Sequence, residues 1–251
     1  MKKYFWIFLL LPSLCWPATG DLQTIGGKVD TAISTIAGKA GTAIATICGK
    51  NYTDGDAGCT PTISYVAMAE SDTPATSIDK PTGTSDGHIM IAGCISDTAE
   101  ATTMSGWTGI TTVDSSSSRL TVAYKVASSE GASYQFTSAT ADDSCWIATF
   151  STTCGTWHIQ DFDSSAATAV TIDTTAVTAV NNSMLIVAYG SDDGALASTQ
   201  PADMTLFSDQ DTGSRSVEGW YEAASAGDYT KTIADGNSND KSTIAVVIHA
   251  E

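Results

Sequence analysis

Basic residues are scarce in this chain, with 11 Lys and Arg against 28 Asp and Glu in 251 residues, for a formal charge of −17. Nucleic acid is bound through many Lys and Arg contacts to phosphate, and anionic membrane surfaces attract the same side chains, so both partner classes are excluded. Three histidines and six cysteines show no CxxC or paired-His spacing, which removes the common zinc patterns. After residue 20 no segment is long and apolar enough to span a bilayer, and after Pro61 no capped run of helical period intervenes. Glutamate is rare as well: Glu70, Glu100, Glu130, Glu218, Glu222 and Glu251 are all there are.

What is present begins with an address. Lys2 and Lys3 precede the apolar run "YFWIFLLLPSLCW", and Ala18 to Gly20 offer small residues for cleavage, the pattern of a secretory signal peptide over residues 1–20. Pro12 interrupts the run and it falls short of the ~20 apolar residues of a membrane anchor. The mature chain then starts at Asp21, and losing 20 of 251 residues with two lysines leaves 231 residues at −19. Secretion implies an oxidising compartment in which cysteines pair. The expected pairs are Cys48 with Cys59 and Cys145 with Cys154, leaving Cys94 as a buried thiol.

Residues 21–60 form a segment apart. "TIGGKVDTAIS", "TIAGKAGTAIA" and "TICGK" start at Thr24, Thr35 and Thr46, a period of 11 residues. That period suits three helical turns, with Ile25, Val29, Ile33, Ile36, Ala40, Ile44 and Ile47 on one stripe. Recurrent glycine opposes a helix, and the Thr/Ile content favours strands, so conformation stays open between helix, strand and disorder. The expected role is an oligomerising stalk or attachment arm, giving a homo-oligomer.

From residue 61 onward short runs rich in Val, Ile, Thr and Tyr alternate with Gly, Asp, Asn and Ser clusters, the signature of strands and turns. The prediction is an all-β domain over 61–251, an antiparallel β-sandwich or jelly roll of about 12 to 14 strands. Its text is written twice. "YKVASSEGASYQF" from Tyr124 is echoed by "YEAASAGDYTKTI" from Tyr221. Ile89 to Ala92 match Met184 to Val187 at an offset of 95, while Ile147 and Ala148 match Ile244 and Ala245 at 97. Halves near 61–154 and 155–251 are therefore expected to share one core with pseudo-two-fold symmetry.

The series "KPTGTSDGHIMIAG", "SGWTGIT", "LTVAYKVA", "SYQFT" and "SMLIVAYG" resembles the β-sandwich domains of tailed-phage and environmental viral virion or fibre-associated proteins. The Ile-x-Gly repeats are similar to segments that precede such domains. The resemblance implies a virion or surface accessory role and carries over no catalytic residue.

Candidate site residues are few. The loop Asp235 to Asp240 gathers Asp235, Asn237, Asn239 and Asp240, oxygen donors of the kind Ca²⁺ takes, although turn chemistry alone explains such residues. The pairs Asp142 with Asp143 and Asp192 with Asp193 share that ambiguity. Trp107, Trp157, Trp220 and Tyr221 are candidate platforms for a sugar ring, with core packing as their competing fate. Glu218 and Glu222 share a strand face and are the one carboxylate pair that a glycosidase could use. The expected function is a secreted, non-catalytic structural or adhesive protein binding a surface or glycan. A secreted carbohydrate-active enzyme on a lectin-like sandwich is the alternative.

Overall fold

A computed structural model describes residues 59–71, 77–97, 103–137, 142–169, 171–193, 197, 199–212, 214–234 and 236–251, and the backbone of four short strands before them. The chain divides into two units, Met1–Cys59 and Thr60–Glu251. In the first unit β1 (Thr24–Ile25) pairs with β2 (Lys28–Val29), and β3 (Thr46–Ile47) with β4 (Lys50–Asn51). The first and third repeats thus adopt the same short antiparallel ladder. The second repeat lies outside the described residues.

The second unit is antiparallel β throughout, and no helix among the described residues is long and apolar enough to cross a membrane. Its first half contains β5 (Ile63–Ser71), β6 (Ile78–Asp79), β7 (Ile89–Asp97), β8 (Thr103–Met104), β9 (Thr108–Asp114), β10 (Ser118–Val126), β11 (Ser133–Tyr134), β12 (Phe136–Thr137) and β13 (Ser144–Thr152). Five of these make a sheet in the order β5-β13-β7-β10-β9. The second half contains β14 (Trp157–Thr168), β15 (Thr171–Asp173), β16 (Val177–Ala179), β17 (Ser183–Ser191), β18 (Thr205–Asp211), β19 (Ser216–Ala224), β20 (Gly227–Tyr229), β21 (Thr232–Ala234) and β22 (Asp240–Ala250). Its sheet runs β14-β22-β17-β19-β18, the same plan strand for strand.

Antiparallel strands usually alternate apolar and polar residues because one face meets water. Here β7, β13, β17 and β22 are buried almost end to end, which explains their uninterrupted apolar text. Each five-stranded sheet is covered twice. One face of each enters a common cluster that holds Ile89, Ile91 and Trp146 from the first half with Met184, Ile186 and Val246 from the second. The other face of the first sheet is closed by the ladders β6–β11 and β8–β12, with Ile78, Met104 and Phe136 over Met90 and Ile147. The other face of the second sheet is closed by β15–β21 and β16–β20, with Ile172, Val177 and Ile233 over Leu185 and Val247.

The halves agree even in their irregularities. The ladder of β9 with β10 slips at Ile110, and that of β18 with β19 slips at the equivalent Phe207. The ladder of β5 with β13 slips at Val66, and that of β14 with β22 at Gln160. Every edge strand of both sheets thus carries a bulge, a feature that twists an edge and discourages pairing with another chain.

One sequence match needs correction. Phe150 pairs with Ile89 as Ile248 pairs with Met184, so the last strands correspond at 248 − 150 = 98, not 97. The match of Ile147 with Ile244 was one residue out of step, and a one-residue slip exchanges the faces of a strand. Ile147 belongs to the outer cluster, Ile244 to the central one.

The expected disulfide between Cys145 and Cys154 does not form. "WIATFSTT" is extended, and nine residues of strand separate its ends by about 30 Å. Cys145 instead stands directly opposite Cys94 on β7 and is bonded to it. Cys94 is therefore not the odd thiol. Cys59 and Cys154 are each disulfide-bonded as well, so all described cysteines are oxidised, the state expected outside the reducing cytosol. Cys48 lies outside the described residues.

The central cluster closes through rings laid on glycines. Trp146 covers Gly93 of the neighbouring strand, Phe207 covers Gly219, and the two rings meet edge to face at 4.8 Å across the sheets. A Cβ on Gly219 would stand 2.2 Å from Phe207 Cζ. We therefore expect Gly219→Ala to destabilise the domain by about 2 kcal/mol, the usual scale of core overpacking. Urea unfolding measures this, and Phe207→Leu in the same chain should recover part of the loss.

Candidate functional site

The two ends of the paired sheets have different chemistry. At the end where β7 and β17 finish, two equivalent hairpins cross from one half to the other. The turn between β9 and β10 sends Ser116 Oγ and Ser117 Oγ to Asp240, the latter at 2.6 Å, and Ser117 also to Asp192. The turn between β18 and β19 sends Arg215 to Asp143 at 3.2 Å and Asp97 at 3.3 Å, and Thr212 to the Asp142 carbonyl at 3.2 Å. Asp97 corresponds to Asp192, and Asp142 to Asp240. Each half is held by a hairpin of the other, a reciprocal clasp that accounts for three of the four acidic residues in the Asp-Asp pairs. The fourth, Asp193, accepts from Ser191 Oγ at 2.7 Å.

The candidate calcium loop lies beside this clasp. Lys241, fully buried, directs its ammonium onto the carbonyls of Asn237 at 2.6 Å and Asn239 at 3.4 Å. A positive charge of the protein's own thus occupies part of the loop. Asp240 turns to the serine hydroxyls, which hold its carboxyl below the usual range. Asp235 lies outside the described residues, and no group of three or more His, Cys, Asp or Glu is arranged around a metal among the described ones.

Of the proposed aromatic platforms, Trp220 requires correction. It faces the outer cluster of the second half and is 1% exposed, so no sugar can reach it. Trp107 is half-buried and meets Tyr134 edge to face at 5.3 Å. Tyr221 is half-buried and stacks on Tyr65 at 4.9 Å across the sheets. Trp157 is half-buried and its indole Nε1 donates to the Gly87 carbonyl at 2.7 Å. The four residues are dispersed over three packing environments and make no common surface.

Glu218 and Glu222 share the outer face of β19, but four residues of strand place their Cα atoms about 13 Å apart with Trp220 between. A glycosidase needs carboxyls separated by about 5 to 9.5 Å. Each is also engaged, Glu218 with the Ala197 N–H and Glu222 with Lys231 Nζ at 2.8 Å. The first half repeats this last arrangement with its signs exchanged. Lys125, at the position equivalent to Glu222, pairs with Glu130 at 2.7 Å. Both ammonium groups lie 5.9 Å from a tyrosine ring, Tyr134 and Tyr229. Burial pushes the Glu130 carboxyl up, but hydrogen bonds from Lys125, the Ser128 N–H and Tyr134 outweigh it and leave the carboxyl below its ordinary range.

The opposite end of the sheets holds a groove that sequence reasoning missed. It has a volume of about 430 Å³ and is lined by residues 61–63 at the start of β5, 181–183 entering β17, and 223–225 leaving β19. Its side chains are hydroxyls, amides, small apolar groups and Ile63, with no titratable group among them. The Asn181-Asn182 turn, with Asn182 at φ 62°, was the available signal. No protein-family model, curated protein or solved structure matches the chain.

Lys231→Met strands the buried Glu222 carboxylate and should cost about 3 kcal/mol in urea unfolding, whereas Glu222→Lys combined with Lys231→Glu should recover more than half of that, since the first half uses the reversed pair. The carboxyls of Asp240 and Glu130 titrate below their unfolded values near 4, so each stabilises the fold above that pH and stops doing so as pH falls through its folded value. Glu70, raised by burial, has the opposite sign and offsets a part. Melting temperature should therefore be flat from pH 7 to about 5 and fall below about 4, with a smaller fall in a Ser116→Ala, Ser117→Ala variant.

Proposed function

We propose that the chain is a secreted, non-catalytic β-sandwich of jelly-roll type, acting as a structural or adhesive component of a viral fibre, virion or cell surface and binding a surface or glycan. The observation that carries this reading is the uncharged groove: it offers recognition by shape and hydrogen bonds but no acid, base or nucleophile pair. Several cations elsewhere are committed to the fold. Arg215, Lys125, Lys231 and Lys241 each serve an internal acceptor. Oxidised cysteines and the signal-peptide pattern support export. The resemblance of "SGWTGIT" and "LTVAYKVA" to virion-associated domains supports the surface role.

In this reading residues 21–60 join copies of the chain and residues 61–251 present the binding surface; an accessory Ca²⁺ at the loop ending in Asp240 would have to displace the Lys241 ammonium from the Asn237 and Asn239 carbonyls. The carbohydrate-active alternative has only Glu218 and Glu222 to offer, and their separation and partners disfavour it. Light scattering of the mature protein should give a multimer that becomes a monomer when residues 21–50 are deleted, and a glycan array with and without calcium should report binding without cleavage. Hydrolysis or lyase activity abolished by Glu218→Gln or Glu222→Gln would overturn the proposal.

A further inference from the structure

The groove has a filled counterpart. Ile63 pairs with Thr152 as Trp157 pairs with Ala250, so these two residues open the first strands of their halves at equivalent positions. Asn182 corresponds to Gly87, two residues ahead of Met184 and Ile89, and both have left-handed backbone, φ 62° and 86°. Ala224 corresponds to Ala127 by the pairing of β19 with β17 and of β10 with β7. On one side of the molecule, the first strand of the second half sends an indole against the turn of the first half and closes the site with an N–H bond to the Gly87 carbonyl. On the other side the equivalent residue is Ile63, and the space beside the Asn181-Asn182 turn is open.

Trp157 is held there by more than apolar contact. Trp107, Trp146 and Trp220 bury an indole N–H with no protein partner, whereas Trp157 has a carbonyl at 2.7 Å. At the open site the turn carbonyl equivalent to that of Gly87 belongs to Asn182, whose backbone is left-handed like that of Gly87. We infer that the open groove binds a planar aromatic ring bearing an N–H or O–H donor, which occupies the place of the missing indole and donates to the Asn182 carbonyl. Ring area provides the main stabilisation and the donor fixes orientation, as in other small-ligand sites of a few hundred Å³. The ring can come from a free small aromatic or from an aromatic side chain presented by a peptide. The inference stands independently of the adhesive reading.

Calorimetric titration of the full-length protein with indole, 1-methylindole and the peptide Gly-Trp-Gly tests it. One saturable indole site per chain is expected, with 1-methylindole about fivefold weaker for want of the donor. Ile63→Trp should fill the groove and abolish that site, and Trp157→Ile should raise the stoichiometry to two. Binding of Gly-Trp-Gly as tightly as indole identifies a presented side chain, and binding of indole alone identifies a free aromatic. Absence of a saturable site in the unaltered protein, or an affinity that Ile63→Trp leaves unchanged, overturns the inference. Should Trp157→Ile fail to fold, the Ile63→Trp comparison decides alone.

Discussion

The contact on which the fold depends is the meeting of Trp146 and Phe207 between two sheets, each ring resting on a glycine of the adjacent strand. Rings of this size cannot stand upright between sheets packed about 10 Å apart unless a neighbouring position gives up its side chain. Gly93 and Gly219 do so: β7 keeps both of its ladders unbroken, and β19 keeps its ladder with β17 while β18 bulges at Phe207 itself. Tyr65 on Tyr221, with Phe150 beside them, extends the same aromatic seam toward the edge formed by β5 and β18. A seam built from large rigid groups fixes the registration of the halves more tightly than an aliphatic layer could.

Two halves on one chain can complement each other where two identical subunits could only repeat. In a symmetric dimer, a residue near the axis meets its own copy. Here Ile95 meets its equivalent Gly190, and its Cδ1 occupies the space that a Cβ there would need. Lys125 and Glu222 take opposite charges at one position of the plan, and Trp157 and Ile63 take opposite volumes at another. The duplicated architecture is constant, while the chemistry at equivalent positions has diverged.

The strand content, the antiparallel class and the repetition were legible in the text because apolar runs and turn residues report them directly. The offset of 95 for β7 and β17 and of 97 for Tyr124 and Tyr221 held because those strands also carry distinctive flanks. The last strands, "CWIATF" and "STIAVVIHA", are apolar on both faces, so nothing in their alternation marked which residues face inward, and the match slipped by one. Disulfide pairing was misjudged for a related reason: sequence distance favoured Cys154 for Cys145, whereas sheet order brings Cys94 beside it. The groove left almost no trace, since it is defined by what Ile63 does not fill. The aromatic candidates could not be sorted because a tryptophan reads the same whether it covers a core or a ligand.

Strand order has a consequence for how the chain is made. In each half the final strand, β13 or β22, lies inside the sheet, between β5 and β7 or between β14 and β17, the first and second of its other four strands in chain order. While a half is emerging from the ribosome, its opening strand has no neighbour in the sheet until the closing strand arrives, which starts 81 residues after β5 in the first half (Ile63 to Ser144) and 83 after β14 in the second (Trp157 to Asp240). Neither sheet can be completed progressively, and a chain stopped before residue 240 would lack an interior strand of its second sheet, not a dispensable border. Such long-range closure makes folding slow and leaves apolar strands uncovered meanwhile, a period during which chaperones or export in an unfolded state would protect it.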